Sequence, residues 1–219
     1  MNVKIDWRSD FLGICAYDDK ILPNHFKVEM QMITRTENPR FQYVAFERMK
    51  FLVNDIFGNS IFIGHENPSL EFLGNRYPDK MVLLPEEAYD QVIGVALYCK
   101  ANAVMEEAIH CQSVRISSYI GDSVWYQFED GEDMGPYAVA TPRRRSKRSS
   151  APWWHRPDIL TFDTTSKIEY STWEDLLLGW EEDSDEPVEE TVGEIIDMKK
   201  KKKKFHGEVV NGGKPKDED

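Results

Sequence analysis

The chain has 219 residues, 41% of them apolar and 30% charged, with a formal net charge of −12. That apolar share can build a real core, and the acidity argues against adventitious attachment to polyphosphate backbones. No run of about 18 apolar residues occurs, so neither a span nor a membrane partner is expected.

The three cysteines, Cys15, Cys99 and Cys111, show no CxxC spacing. Their pattern indicates neither a disulfide framework nor a zinc knuckle, and a reducing, cytoplasmic compartment is the natural expectation. The first residues, MNVKIDWRSDFLGI, place charges where a signal peptide needs an apolar run.

Ordered structure reads from about Phe26. Phe26, Val28, Met30 and Met32 alternate with Lys27, Glu29 and Gln31, the period of a half-buried strand. Asn38 then offers a helix cap and Pro39 a first helical residue, with Gly58 as the expected left-handed stop. Phe41, Val44, Ala45, Met49, Leu52 and Ile56 make an apolar stripe between them. Ser60 to Ile63 predicts a short strand.

A looser stretch, GHENPSLEFLGNRYPD, precedes a second unit. Lys80 to Leu84 reads as a buried strand, and Pro85, Glu86 and Glu87 as the opening of a helix running to about His110. Gly94 inside that helix predicts a close packing contact. Two strands follow, about Ser113 to Tyr119 and Ser123 to Phe128, joined by a turn at Ile120-Gly121-Asp122.

The order β-α-β, β-α-β, β defines an α+β domain over residues 1–128. It is similar to the ferredoxin-like sandwich, an antiparallel sheet with two helices on one face. Residues 129–152 read as an acidic and then basic linker, and 153–180 as an aromatic segment. Residues 181–219, with a block of acids and six consecutive lysines, read as a disordered charged tail.

Within the aromatic segment, Ser171 and Glu174 fit a capping box. Trp173, Leu176, Leu177 and Trp180 then fall at i, i+3, i+4 and i+7, one face of a short helix. So short a helix is marginal alone and must dock. It can fold back on its own domain with Trp153 and Trp154, or insert into the groove of a protein partner.

Chemistry is sparsely marked. Glu107-x-x-His110 has a metal-like spacing but occurs once, and reads better as a helix-terminal histidine. No glycine-rich phosphate loop, GxSxG or HExxH pattern is present. No catalytic residue, metal or cofactor is assigned. Arg143, Arg144, Arg145, Lys147 and Arg148, followed by Trp153 and Trp154, have the composition of a single-strand nucleic-acid contact.

The stretches NPRFQYVAFERMKFLVNDIFGNSIFI and LPEEAYDQVIGVALYCKANAVMEE, with WEDLLLGW, resemble segments of an accessory protein family of tailed, cyanophage-like myoviruses. That resemblance carries no functional residues and implies a phage accessory or host-interaction protein, in the host cytoplasm or the virion. The reading from sequence is therefore a non-enzymatic interaction protein using Trp173, Leu176, Leu177 and Trp180. Nucleic-acid binding through Arg143 to Arg148 is the alternative.

Overall fold

In the computed structural model, residues 2–17, 20–137, 151–162 and 171–180 are described. Two long strands, β1 (Lys4–Tyr17) and β2 (Lys20–Thr34), pair antiparallel along their whole length. In β1, Ile5, Trp7, Phe11, Gly13 and Cys15 turn inward while Lys4, Asp6, Arg8, Asp10 and Leu12 face solvent. This is the two-residue period of a strand with one buried face. The expected start of order near Phe26 is therefore corrected to Lys4. Across the pair, the Phe11 and Phe26 rings stack at 4.9 Å.

Helix α1 (Pro39–Phe51) begins as its residues predict: the Asn38 side chain accepts from the Arg40 amide and Pro39 occupies the first turn. It runs on into a π-helical turn, Leu52–Phe57, which buries Leu52, Val53 and Phe57. The positive φ falls on Asn59, not on Gly58. Gly58 is needed for a different reason, since a Cβ there would run into the Asn54 carbonyl.

Strand β3 (Ile61–Gly64) and strand β4 (Met81–Leu84) flank a short helix, α2 (Leu70–Arg76), in the stretch read as a loop. Its buried Leu73 packs with Ala16, Ile61, Ile63 and Met81, the face of the sheet opposite the main core.

Helix α3 (Asp90–Met105) starts five residues after Pro85 and ends before His110. Glu106 and Glu107 adopt φ of 46° and 67°, which terminates the helix and sends the chain into β5 (Ile109–Ser118). His110 is thus a strand residue. The last strand, β6 (Tyr126–Glu129), is short.

The sheet order is β4-β3-β1-β2-β5-β6. β1 pairs parallel with β3, and β3 with β4, so the six-stranded sheet is mixed rather than purely antiparallel. The α+β class is as predicted. Helices α1 and α3 share one face over a core that includes Phe26, Met30, Met49, Phe62, Leu97 and Ile116. At Gly94 of α3, a Cβ would lie 2.5 Å from Phe128 and 2.6 Å from Ile116, the close approach that its presence in a helix implied.

Residues 151–162 and 171–180 complete this core, and Met1–Trp180 forms one unit. The Leu83 amide donates to the Thr161 carbonyl, the Thr161 hydroxyl donates to the Met81 carbonyl, and the Trp153 indole donates to the Leu83 carbonyl at 2.7 Å. The β4 edge is closed by these bonds, as an exposed edge requires. The expected charged tail, 181–219, lies outside the described residues.

Candidate ligand-binding site

Asp90 is the first residue of α3, where the helix dipole favours a negative group. Packing against the end of β5 leaves it only 6% exposed. One carboxylate oxygen, Oδ1, accepts from the Ser118 hydroxyl at 2.8 Å, and the Ser118 oxygen accepts from the Gly121 amide at 3.0 Å. The other oxygen, Oδ2, is buried with no hydrogen-bond partner. A buried carboxylate oxygen left unpaired is costly, and such groups are rare in folded proteins.

Burial therefore raises the Asp90 pKa above its ordinary 3.8, against the opposing pull of its bonds from Ser118. The group binds its proton more tightly than an exposed aspartate does. Gly121 is required beside it, because any Cβ there would collide with Oδ2.

Asp90 lines a cavity of about 620 Å³, together with Tyr17, Tyr89, Val92, Gly121 and Tyr126. The Tyr17 and Tyr89 rings lie 5.9 Å apart and inclined at 34°. Beyond them, Ile120 donates its amide to Asn24 Oδ1 at 3.1 Å, fixing the turn that carries Gly121. Cys15 is fully buried nearby, and burial pushes its thiol up to about 11. It is not a nucleophile at neutral pH. The arrangement offers aromatic walls and one buried acceptor, without a reactive side chain.

The residues singled out in the sequence lie elsewhere. Trp153 is fully buried and meets Phe57 edge-on at 6.4 Å, while Trp154 is 9% exposed and packs on Tyr137 at 5.0 Å. Neither can stack on a base. Arg143, Arg144, Arg145, Lys147 and Arg148 lie outside the described residues.

Trp173 is buried, donates its indole N–H to the Pro157 carbonyl at 2.6 Å and meets Phe51 edge-on. Trp180 donates to Glu106 and rests on Phe41. Leu176 packs against the same core. Leu177 is 90% exposed with φ 59°, so the four residues do not share a helical face. The segment is a turn, capped by Thr172 and Asp175 one position beyond the expected box.

Neither a family model nor a curated protein matches this sequence. Among solved structures, similarity of fold is found to uncharacterized protein WS1659 from Wolinella succinogenes, at 10% identity and TM-score 0.42, covering 59% of this chain and 99% of that one. A catalytic-residue mutant of Plasmodium vivax 6-pyruvoyltetrahydropterin synthase is similar at 8% identity and TM-score 0.38, covering 58% and 97%. The synthase of Plasmodium falciparum is similar at 10% identity and TM-score 0.37, covering 58% and 96%.

The expected interaction protein, engaging a partner through Trp173, Leu176, Leu177 and Trp180, is corrected by the packing of this segment. The tryptophans meant to engage a partner or a nucleic acid are built into this domain's own core, and Leu177 stands apart from them in solvent. What the sequence reading missed is Asp90, which begins the helix that Pro85, Glu86 and Glu87 were expected to open. Only its burial against Ser118 distinguishes it.

Proposed function

We propose that the chain binds a small, flat molecule bearing N–H donors in the cavity between Tyr17, Tyr89 and Tyr126, with Asp90 as the anchoring acceptor. The unpaired, buried Oδ2 of Asp90 is the observation that carries this reading. A ligand donor would satisfy that oxygen, and a cationic donor would also offset the cost of burying its charge. Tyr17 and Tyr89 supply rigid aromatic surface for a planar ring.

Ligand pockets commonly pair apolar walls with a few fixed polar groups, and this cavity has that composition. A cationic ligand shifts Asp90 to its ionised form, so binding releases a proton wherever the free carboxyl is protonated.

Benzamidine is a suitable probe, being planar with a donor-bearing cationic end. Amide chemical shifts recorded during titration of the full chain should move at Tyr17, Tyr89 and Gly121. Asp90→Asn should weaken the binding roughly 10- to 100-fold, the worth of a charge-assisted hydrogen bond. Gly121→Ala should weaken it as well by crowding Oδ2. Unperturbed amides around the cavity, or equal binding by Asp90→Asn, would refute the assignment.

A further inference from the structure

A second group of polar side chains converges beyond the middle of α3, at the start of β5. Asp130, the residue after β6, accepts from the Tyr98 hydroxyl on Oδ1 at 2.6 Å and from His110 Nε2 on Oδ2 at 2.7 Å. Burial works to raise the Asp130 pKa, but the bonds from Tyr98 and His110 outweigh it and hold the carboxylate below its ordinary value. With Nε2 bonded to Asp130, Nδ1 is the ring nitrogen left to accept a proton.

The ring remains accessible, at 19% of the side chain. It lines a cavity of about 400 Å³ with Arg35, Glu107 and His155, and with the apolar Ile109 and Met134. His155 Nε2 donates to the Tyr137 carbonyl at 2.7 Å, which fixes that second ring. One wall is strained: Glu107 holds left-handed backbone, a conformation that non-glycine residues adopt at a cost. A histidine oriented by a carboxylate, beside a guanidinium and an apolar wall, has the parts of an acyl-hydrolysis site.

We propose that His110 is a catalytic general base, with Asp130 and Tyr98 as positioning residues, for hydrolysis of a small carboxylic ester whose oxyanion faces Arg35. His110 Nδ1 takes a proton from water as the water oxygen bonds to the acyl carbon, and the carbonyl electron pair moves onto oxygen beside the guanidinium. Collapse reforms the carbonyl and breaks the bond to the alkoxide. The imidazolium returns its proton to that alkoxide. One water is consumed, and one acid and one alcohol leave.

The test is hydrolysis of 4-nitrophenyl acetate by the full chain. Saturable turnover above that of free imidazole at equal concentration is expected. His110→Ala should lower kcat about 100-fold or more, and imidazole added to the solution should restore part of it. Asp130→Asn should lower kcat with KM unchanged, and Tyr98→Phe should do so less strongly because the His110–Asp130 bond survives. Turnover no better than imidazole, or equal in His110→Ala, overturns the proposal. So does a His110→Ala loss that imidazole leaves untouched while Tyr98→Phe matches the parent.

Discussion

The guanidinium carbon of Arg48 stands 4.1 Å from the centre of the Trp180 ring and 5.1 Å from that of Trp173. The side chain is 1% exposed, and it donates to the Leu178 carbonyl at 2.7 Å and to Glu106 at 2.6 Å. A cation desolvated between two indoles and bonded to a carboxylate is a strong tether. Arg48→Ala should therefore cost about 2–4 kcal/mol and expose both tryptophans to iodide quenching, while Arg48→Lys should keep only part of the tether. An unchanged midpoint in urea would remove this role.

Lys100 fastens residues 153–158 in a similar way. It is fully buried and donates to the Trp153 and Arg156 carbonyls at 3.0 and 2.9 Å, with Asp158 at 3.3 Å. Lys100→Ala takes the ammonium away from both carbonyls in the interior, where the Trp153 carbonyl keeps its longer bond from the Arg156 amide at 3.2 Å. The expected loss is about 3–5 kcal/mol, read as a fall in Tm with a red shift of Trp153 emission.

Asp90 makes stability depend on pH in a defined direction. Because the folded carboxyl holds its proton more tightly than the unfolded chain's ordinary 3.8, the folded state is favoured at low pH. That advantage is lost as pH rises from about 3.8 through the raised folded value. Asp90→Asn removes the slope, so its stability relative to the parent should climb with pH across the same window. Parallel denaturation curves for the two proteins from pH 4 to 8 would contradict the burial cost assigned to this group.

The cysteines should be silent. Burial pushes the Cys15 thiol up to about 11 and the Cys99 and Cys111 thiols up to about 12. All three are buried. Ellman's reagent at pH 8 should titrate none of them quickly in the folded protein and all three in denaturant.

Leu177 sits in left-handed backbone with its side chain in solvent. Leu177→Gly should stabilise the protein by about 0.5–1 kcal/mol, since glycine relieves the strain and no packing is lost. Leu177→Asp should change stability by no more than about 0.5 kcal/mol, as expected for an exposed site. A drop in Tm for Leu177→Asp would place this residue in the core after all.

Local signals in the chain specified much of this molecule. The alternation of Phe26 to Met32, the Asn38-Pro39 helix start, the apolar run Met81 to Leu84 and the close packing at Gly94 all follow from short-range periodicity and from backbone chemistry. The α+β class follows from their order. Strand β1 shows the same alternation, from Ile5 to Cys15, but Ser9 and Gly13 interrupt its inward face and Leu12 and Ile14 its outward one.

Tertiary structure alone decided the rest. Nothing within a few residues of Asp90 reveals that Ser118 and Gly121 will enclose it, because their contact closes a loop of about thirty residues. Tyr98, His110 and Asp130 likewise meet only through the pairing of β5 with β6. The tryptophans at 153, 154, 173 and 180 advertised a need for burial, and sequence could not say against what. Hydrophobic burial is non-directional, so its strength can be read from composition, whereas its partner is set by which surfaces the folded sheet and helices leave uncovered.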